Sequence, residues 1–210
     1  NYLGTASYTA KCQNGTEFQG GFDWLKTGDG IGKTISGLVL LRKTVSEWVF
    51  LAAHDASSVP RVSKITVSAS GAVSSSAVSW ASPPTDIESL FVYEGIMFAA
   101  TGGGTLLKIA LSVDETSISV VDSVGFGGVI DNEDCEGAFI HLIDGREILI
   151  VASRGSDASP SKMAWMELTT SPLGLVSLIG VTTFTAPFPT ASTVRHVSDL
   201  RTDHAGNLFV

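Results

Sequence analysis

Short apolar runs, each bounded by Gly, Ser, Asp or Pro, recur along the chain from Ile35 onward. Runs of this length and spacing are typical of β-strands. No long stretch carries the i, i+3, i+4, i+7 apolar spacing of an amphipathic helix. The pattern therefore predicts an all-β protein.

The runs are organised in a repeat. Each repeat opens with a small or acidic residue and continues with an apolar strand, a turn and a second apolar strand. In the first three repeats a Gly/Ser-rich loop follows, then a third strand (KITVS, KIALS, MAWMEL) and a weaker fourth one. The four repeats begin at Ile35, Asp86, Asp134 and His196.

Four short strands per repeat, with about 40 to 60 residues between repeats, are typical of β-propeller blades. A blade buries its faces only against neighbouring blades, so the repeats should stand around an axis. Hairpin turns are expected at Tyr93-Glu94-Gly95, Asp144-Gly145 and His204-Ala205-Gly206-Asn207. A β-sandwich has strands of similar length and is the alternative fold, but the repeat order favours the propeller.

The repeats divide the chain into an N-terminal arm and a series of blades. Strand-like pieces in the arm could complete the fourth blade, or the ring could need a further chain segment or a subunit to close. We favour the second interpretation. The predicted intervals are 1–34 for the arm, 35–82, 83–129 and 130–190 for complete blades, and 191–210 for a partial blade.

The composition of the chain restricts which binding partners and which cellular compartment we expect. The net charge of −8 argues against nucleic acid, whose phosphates attract Lys and Arg. No run approaches the length of about 18 apolar residues expected of a membrane span. Two cysteines and a possible glycosylation site at Asn14 favour a secreted, extracellular or periplasmic protein.

Acidic residues gather just before the apolar strands that open the repeats. In a propeller these strands line the central channel, so the acids should converge at one mouth. Converging carboxylates repel one another unless a cation or proton neutralises them, and Ca²⁺ suits a cluster of oxygen ligands. Alternatively the acids cap backbone N–H groups in turns. The candidate calcium ligands are Asp86, Glu88, Asp134 and Glu136, with Asp199 as a further channel-mouth acid.

Other polar residues stand near the ends of second strands. Arg154 follows the strand of the third repeat, and its planar guanidinium could meet a phosphate or carboxylate. His54 and Thr101 occupy similar places in the first two repeats, which suggests a common rim. Solvated loop positions are the alternative interpretation of all three.

Several familiar site patterns are absent or incomplete. The Gly-rich stretch Thr27–Thr34 lacks the first Gly of a phosphate-binding loop and the flanking strand and helix. No Ser-His-Asp set and no C-x-x-C or H-E-x-x-H spacing can be assigned. Cys12 and Cys135 could form a disulfide, or Cys135 could be a small buried thiol beside an inner strand.

The repeat openings resemble those of the phytase-like, or esterase-like, β-propeller domain family and, more distantly, of β-propeller phytases. The resemblance covers roughly Ile35 to Val210. The resemblance implies a ring of about six blades, hydrolysis of esters or phosphoesters, and Ca²⁺ as the cofactor. The chain lacks the basic cluster that phytases use for phosphate. The openings that carry the resemblance are Ser36-Gly37-Leu38, Asp86-Ile87-Glu88-Ser89, Asp134-Cys135-Glu136-Gly137 and Ser198-Asp199-Leu200.

Two classes of function follow from these observations. The first is a secreted, metal-assisted hydrolase of small-molecule esters or phosphoesters. The second is a non-catalytic extracellular propeller that binds a protein partner and serves adhesion or assembly, since propellers have many functions. Convergence of the acids from different repeats within metal-ligand distance would distinguish the two.

Overall fold

A computed structural model of the chain describes residues 35–54, 60–130, 135–155 and 160–184, together with the backbone of 201–202 and 208–209. The described part is all-β, and its only helical element is a short 3₁₀ turn at Gly127–Val129. This confirms the fold class expected from the short apolar runs. No described helix is long and apolar enough to cross a membrane.

Twelve consecutive strands form three four-stranded antiparallel blades, of which the first two are joined into one eight-stranded sheet and the third is a separate sheet. Within each blade, every strand pairs with the next one along the chain. Blade 1 contains β1 (Ile35–Lys43), β2 (Glu47–His54), β3 (Val62–Ser68) and β4 (Val73–Trp80). Blade 2 contains β5 (Ile87–Tyr93), β6 (Ile96–Thr101), β7 (Thr105–Leu111) and β8 (Ser117–Gly125). Blade 3 contains β9 (Cys135–Ile143), β10 (Arg146–Ser153), β11 (Ser161–Thr170) and β12 (Leu173–Phe184).

The first strands of the blades lie side by side. β1 lies against β5, and β5 lies against β9, although no ladder joins them. The fourth strands of blades 1 and 2 meet through a short parallel bridge, Ser79 with Ser117 and Trp80 with Ile118. The first strands are therefore innermost, as the sequence predicts, and the arrangement is propeller-like.

Two hairpins show how local sequence sets the register. Glu94 and Gly95 connect β5 to β6 with φ of 48° and 77°, and Asp144 and Gly145 connect β9 to β10 with φ of 50° and 77°. The two-residue hairpin turn whose twist matches that of the flanking strands requires a positive φ at both central residues. Both turns fall where the sequence predicts them. The third predicted turn, 204–207, lies outside the described residues.

The blades pack through two faces. The trailing face of a blade meets the next blade along the chain, and the leading face meets the previous one. The trailing face of blade 1 and the leading face of blade 2 share one buried cluster, which includes Leu51, Ala53, Val62, Leu90, Ala99 and Leu107. The trailing face of blade 2 and blade 3 share a second cluster, which includes Phe98, Leu106, Phe126, Ala138, Val151 and Met166.

Close backbone approach between first strands explains a glycine in blade 1. A Cβ built on Gly37 would lie 2.6 Å from the backbone nitrogen of Leu90. The hydroxyl of Ser36 donates to the carbonyl of Ile87, and the hydroxyl of Ser89 donates to that of Ala138 at 3.0 Å. A side chain at position 37 would push β1 away from β5 and break this contact.

A short antiparallel pair, β13 (Arg201–Thr202) and β14 (Leu208–Phe209), follows blade 3. It falls in the interval predicted as a partial blade. The N-terminal arm, 1–34, lies outside the described residues, so the two interpretations of ring closure stay open.

Candidate functional site

The first strand of every blade carries a β-bulge at the same place. The register slips between Ile35 and Gly37 in β1, between Ile87 and Ser89 in β5, and between Cys135 and Gly137 in β9. A bulge leaves one residue unpaired and changes the direction of its side chain, and bulges are common beside functional sites. The residues that the strand register skips are Ser36, Glu88 and Glu136, so two of the predicted acids occupy equivalent, specialised positions.

Both glutamates are buried, with 4% of Glu88 and 1% of Glu136 exposed. Burying a carboxylate is costly unless it is paired or hydrogen-bonded. Sequence alone places these acids before a strand, where solvation is the ordinary expectation. The structure places them inside the protein, and a turn-capping role in solvent does not describe them.

The acids of blades 2 and 3 lie near enough to the thiol of Cys135 to act on it electrostatically. Burial is the main cause that raises the pKa of Cys135 to about 12, and the negative charges of Glu88, Glu136 and Asp86 contribute to this rise. Three of the predicted channel-mouth acids therefore share one neighbour. We call Asp86, Glu88, Cys135, Glu136 and Arg154 the opening cluster.

Gly102, just after β6, holds the two blade openings in place. Its N–H donates to the carbonyl of Asp86 at 3.1 Å, and its own carbonyl accepts from the N–H of Cys135 at 3.0 Å. A Cβ on this residue would meet the Asp86 carboxylate and would force that side chain to move.

Arg154 pairs with Glu136. Its Nε donates to Glu136 Oε1, and about a third of the Arg154 side chain, 32%, is exposed, whereas the glutamate side chain is almost fully buried. The hydroxyl of Ser161 donates to the backbone carbonyl of Arg154 at 2.9 Å and fixes the start of the loop. The guanidinium thus reaches from the protein surface to a buried carboxylate.

The residues that end the second strands have a different role. By register, His54, Thr101 and Ser153 are equivalent, so Arg154 lies one residue beyond the position that matches His54. His54 Nε2 bonds to Ser63 Oγ at 3.0 Å, Thr101 Oγ1 accepts from Thr105 N at 3.1 Å, and Ser153 Oγ accepts from Lys162 N at 3.0 Å. These bonds tie each second strand to its own third strand, and the three residues are buried rather than solvated loop positions.

His54 is the most constrained of the three. It is 1% exposed, its Nδ1 has no hydrogen-bond partner, and burial lowers its pKa. A neutral imidazole with its proton on Nε2 satisfies the contact with Ser63 and leaves only an acceptor unpaired. Nothing in the described residues links His54 to the opening cluster by a hydrogen bond.

Several predicted site residues lie outside the described residues: Asp134, Asp199, Cys12 and the glycosylation candidate Asn14. Cys135 is a free, buried thiol whose Sγ lies 3.5 Å from the carbonyl of Gly137. Because Cys12 lies outside the described residues, the predicted choice between a disulfide and a buried thiol stays a prediction.

The calcium hypothesis can be tested on part of its ligand set. Within the described residues, no group of three or more His, Cys, Asp or Glu side chains is arranged to hold a metal ion. Ca²⁺ takes six to eight oxygen ligands, and one of the two buried glutamates is already neutralised by Arg154. The described residues alone do not form a complete calcium site.

Comparison with known proteins adds no assignment. No family model matches the chain, and no curated protein matches it. The resemblance to phytase-like propellers therefore stays a prediction.

Sequence reasoning missed three features of the site. It did not find the repeated bulge, the central position of Cys135, or the bridging role of Gly102. The aligned openings contain a signal for the first, because Ser36, Glu88 and Glu136 each precede the small residue of their motif. No sequence signal indicates the Arg154–Glu136 pair, which joins residues on two different strands.

Proposed function

We propose that this chain is a secreted or periplasmic β-propeller protein that binds a polar ligand at the opening cluster. The observation that carries the proposal is the pair of buried, bulged glutamates at equivalent positions of two adjacent blades. A fold gains nothing from burying carboxylates there, since apolar side chains would pack at lower cost. Departures of this kind from local rules are expected mainly at functional sites.

The charge of the cluster indicates the kind of ligand. Asp86, Glu88 and Glu136 supply three carboxyl groups, and Arg154 supplies one cation that is partly exposed. Carboxyl groups favour a ligand that is cationic or rich in hydrogen-bond donors. Arg154 could in addition orient a carboxylate or phosphate group, because a guanidinium binds such groups through paired N–H donors.

Binding without catalysis is the function that the described geometry supports best. Glu136 is held by Arg154 and so is poorly suited to act as a general base. The described residues also supply no complete metal site that could activate water. A propeller whose inner openings bind a ligand or a protein partner requires neither.

Hydrolysis of an ester or phosphoester is the second candidate. It is favoured by the convergence of acids from two blades around Cys135, the feature that the sequence predicts for a metal-assisted hydrolase. If Ca²⁺ binds, Glu88 and Asp86 are the described residues best placed to contribute oxygen ligands. The ion would supply charge that stabilises a developing oxyanion.

A melting experiment tests the cation-binding part of the proposal. A ligand that binds only the native state raises its stability by RT ln(1 + [L]/Kd), roughly 2.7 kcal/mol at a hundredfold excess over Kd. We expect Ca²⁺ to raise Tm relative to EDTA, and Glu88→Gln to reduce that response. Glu167→Gln, a carboxylate on β11 that pairs with Arg146 at 3.6 Å, is the control and should keep the full response. Identical melting in Ca²⁺ and EDTA would exclude calcium.

Activity assays separate the two candidates. Wild-type protein and Glu88→Gln are incubated with p-nitrophenyl acetate and p-nitrophenyl phosphate, each with and without Ca²⁺. Turnover by the wild type that the substitution abolishes assigns hydrolysis to this cluster. A calcium-dependent Tm shift without turnover supports binding alone.

The proposed compartment has a separate test. Expression through a eukaryotic secretory pathway should attach a glycan at Asn14, and the attachment should be lost in Asn14→Gln. Unmodified secreted protein would remove the support that the sequon gives to an extracellular location.

A further inference from the structure

The outer strand of blade 3, β12, differs from the outer strands of the other two blades. The outer strands β4 and β8 meet each other through the short parallel bridge that joins blades 1 and 2. Among the described strands, β12 pairs only with β11, so its other side is a free sheet edge. It is also the longest described strand, with 12 residues.

The sequence of β12 lacks the usual protection of an edge strand. Natural proteins keep such edges from pairing with other chains by making them short, by placing charges or proline on them, or by adding bulges. The strand LGLVSLIGVTTF contains no charged residue and no proline. Its register against β11 slips twice, opposite 165–166 and 167–168, but residues 180–184 pair regularly with 161–165. Residues 180–184 therefore form a regular, uncharged edge.

Apolar side chains on β12 are exposed beside this edge. Val176, Leu178, Ile179 and Val181 are between 43% and 58% exposed. Val181 pairs with the buried residue Ala164, so the exposed side chains continue an apolar layer outward from the core. Exposed apolar patches on a soluble protein commonly mark a contact with another molecule.

Charge and symmetry indicate which molecule fits this edge. Each chain carries a net charge of −8, so two copies repel one another over most of their surface. The uncharged strand β12 is a place where two copies can approach without opposing charges of the same sign. A twofold axis across the edge would pair the strand with itself in the antiparallel direction and would bring the same apolar side chains together. The chain already joins outer strands edge to edge in the bridge between β4 and β8.

We propose that β12 is the contact strand of a homodimer, in which residues 180–184 of two copies pair edge to edge and antiparallel. The contact joins the four-stranded sheets of two third blades into one continuous sheet and covers Leu178, Ile179 and Val181. It requires neither a particular number of blades nor the proposed ligand. Because one strand per copy buries less than a standard interface of about 1,600 Å², we expect a weak dimer with a Kd that is roughly micromolar.

The mass of the 210-residue protein in solution is the first test. Light scattering between about 1 and 300 µM spans a micromolar Kd. We expect a reversible change from monomer to dimer across this range, without larger assemblies, because a twofold contact closes on itself. A monomer at every concentration, or a series of larger assemblies, overturns the proposal.

Three lysine substitutions at matched exposure locate the contact. Val181, Leu38 and Val120 are 43%, 44% and 45% exposed and lie on β12, β1 and β8. We expect Val181→Lys to raise the dimer Kd at least about tenfold, because lysine on an edge opposes strand pairing. Leu38→Lys and Val120→Lys should change it less than about twofold, as ordinary surface substitutions do. Dissociation by Leu38→Lys with no effect of Val181→Lys would place the contact on blade 1 and overturn the proposal.

A second variant on the same strand guards against misfolding. Ile179→Lys, at a position that the register skips, should weaken the dimer in the same direction as Val181→Lys. For each variant the Tm of the monomer shows whether the fold is intact. If both folded variants dimerise as the wild type does, the contact does not involve β12.

Hydrogen exchange distinguishes a second copy from another segment of the same chain. In an antiparallel ladder alternate N–H groups of β12 point away from β11. We expect those within 180–184 to exchange more slowly above the dimer Kd than below it, whereas the amides of β10, inside the sheet, should exchange at one rate throughout. Slow exchange of all amides in 180–184 at every concentration would show that this chain covers its own edge, and would overturn the dimer.

Discussion

The openings of blade 1 and blade 3 have the same backbone and opposite chemistry. Each has a bulge at the second residue of its first strand, and each lies against the first strand of blade 2. In blade 1 the bulged residue is Ser36, whose small hydroxyl bonds to a neighbouring carbonyl. In blade 3 it is Glu136, a buried carboxylate paired with Arg154.

The comparison shows that the repeat fixes the backbone conformation of each opening, whereas the side chain at the bulge determines the charge and hydrogen bonding there. A serine at the bulge satisfies its hydrogen bond locally and serves interblade packing. A buried glutamate at the same place needs a compensating partner, and in blade 3 Arg154 provides one for Glu136. Four predictions test this distinction, from the largest expected effect to the smallest.

Loss of Arg154 should cause the largest effect. Arg154→Ala leaves Glu136 buried without its cation, and breaking one side of a buried pair typically costs about 3 to 5 kcal/mol. Because the guanidinium is partly exposed, we expect about 3 kcal/mol, measured by denaturant unfolding. The double variant Arg154→Met with Glu136→Gln should lose less than Arg154→Ala alone. Arg146→Ala, which removes a surface pair, should cost no more than about 1 kcal/mol.

A methyl group at Gly102 should disturb the opening of blade 2. Gly102→Ala places a Cβ against the Asp86 carboxylate, and overpacking costs about 1 to 3 kcal/mol in a well-packed site. Because the carboxylate ends a flexible side chain that can move, we expect the lower end of this range, about 1 kcal/mol. The adjacent Gly103 has no atom within 4 Å of its Cβ position, so Gly103→Ala is the control and should be nearly neutral. Equal losses of stability at the two glycines would contradict the bridging role of Gly102.

Acid should weaken blade 1 through His54. Since burial lowers the pKa of His54 in the folded state, the unfolded chain binds its proton at higher pH than the folded chain does. The contribution of the neutral His54 imidazole to the free energy of unfolding is fully present above the pKa of histidine in the unfolded chain, about 6.5. This contribution is lost as the pH falls toward the lower pKa of His54 in the folded protein. The slope of unfolding free energy against pH in that window should be smaller in His54→Gln. An unchanged slope in this variant would show that the histidine does not contribute.

Cys135 should resist alkylation in the native protein. Its pKa of about 12 leaves almost no thiolate at pH 8, and its burial blocks access. In a Cys12→Ser background, iodoacetamide should label the unfolded chain and leave the folded chain essentially unlabelled. Rapid labelling of the folded chain would mean that the opening cluster is accessible, and the burial of Glu88 and Glu136 would then need revision.

The sequence by itself determined the fold class, the strand order and the hairpin turns of this protein. These features depend on the local periodicity of apolar residues and on turn residues such as Glu94-Gly95 and Asp144-Gly145. The conformation of such a turn is determined by residues that are close in sequence. It also indicated that the acids of different repeats would converge, because a repeat places equivalent residues at equivalent positions. In the structure Asp86, Glu88 and Glu136 all act electrostatically on Cys135, whereas their convergence at one channel mouth stays a prediction.

Only the tertiary structure decided which of these acids are buried and what neutralises them. The burial of Glu88 and Glu136 depends on the approach of first strands from different blades, a long-range packing effect with no local signature. The contact of Arg154 with Glu136 spans 18 residues and two strands, and the placement of Cys135 among three carboxylates combines two blades. Ser153, rather than Arg154, proved equivalent to His54, because the bulge shifts the register by one residue and such a shift depends on strand pairing.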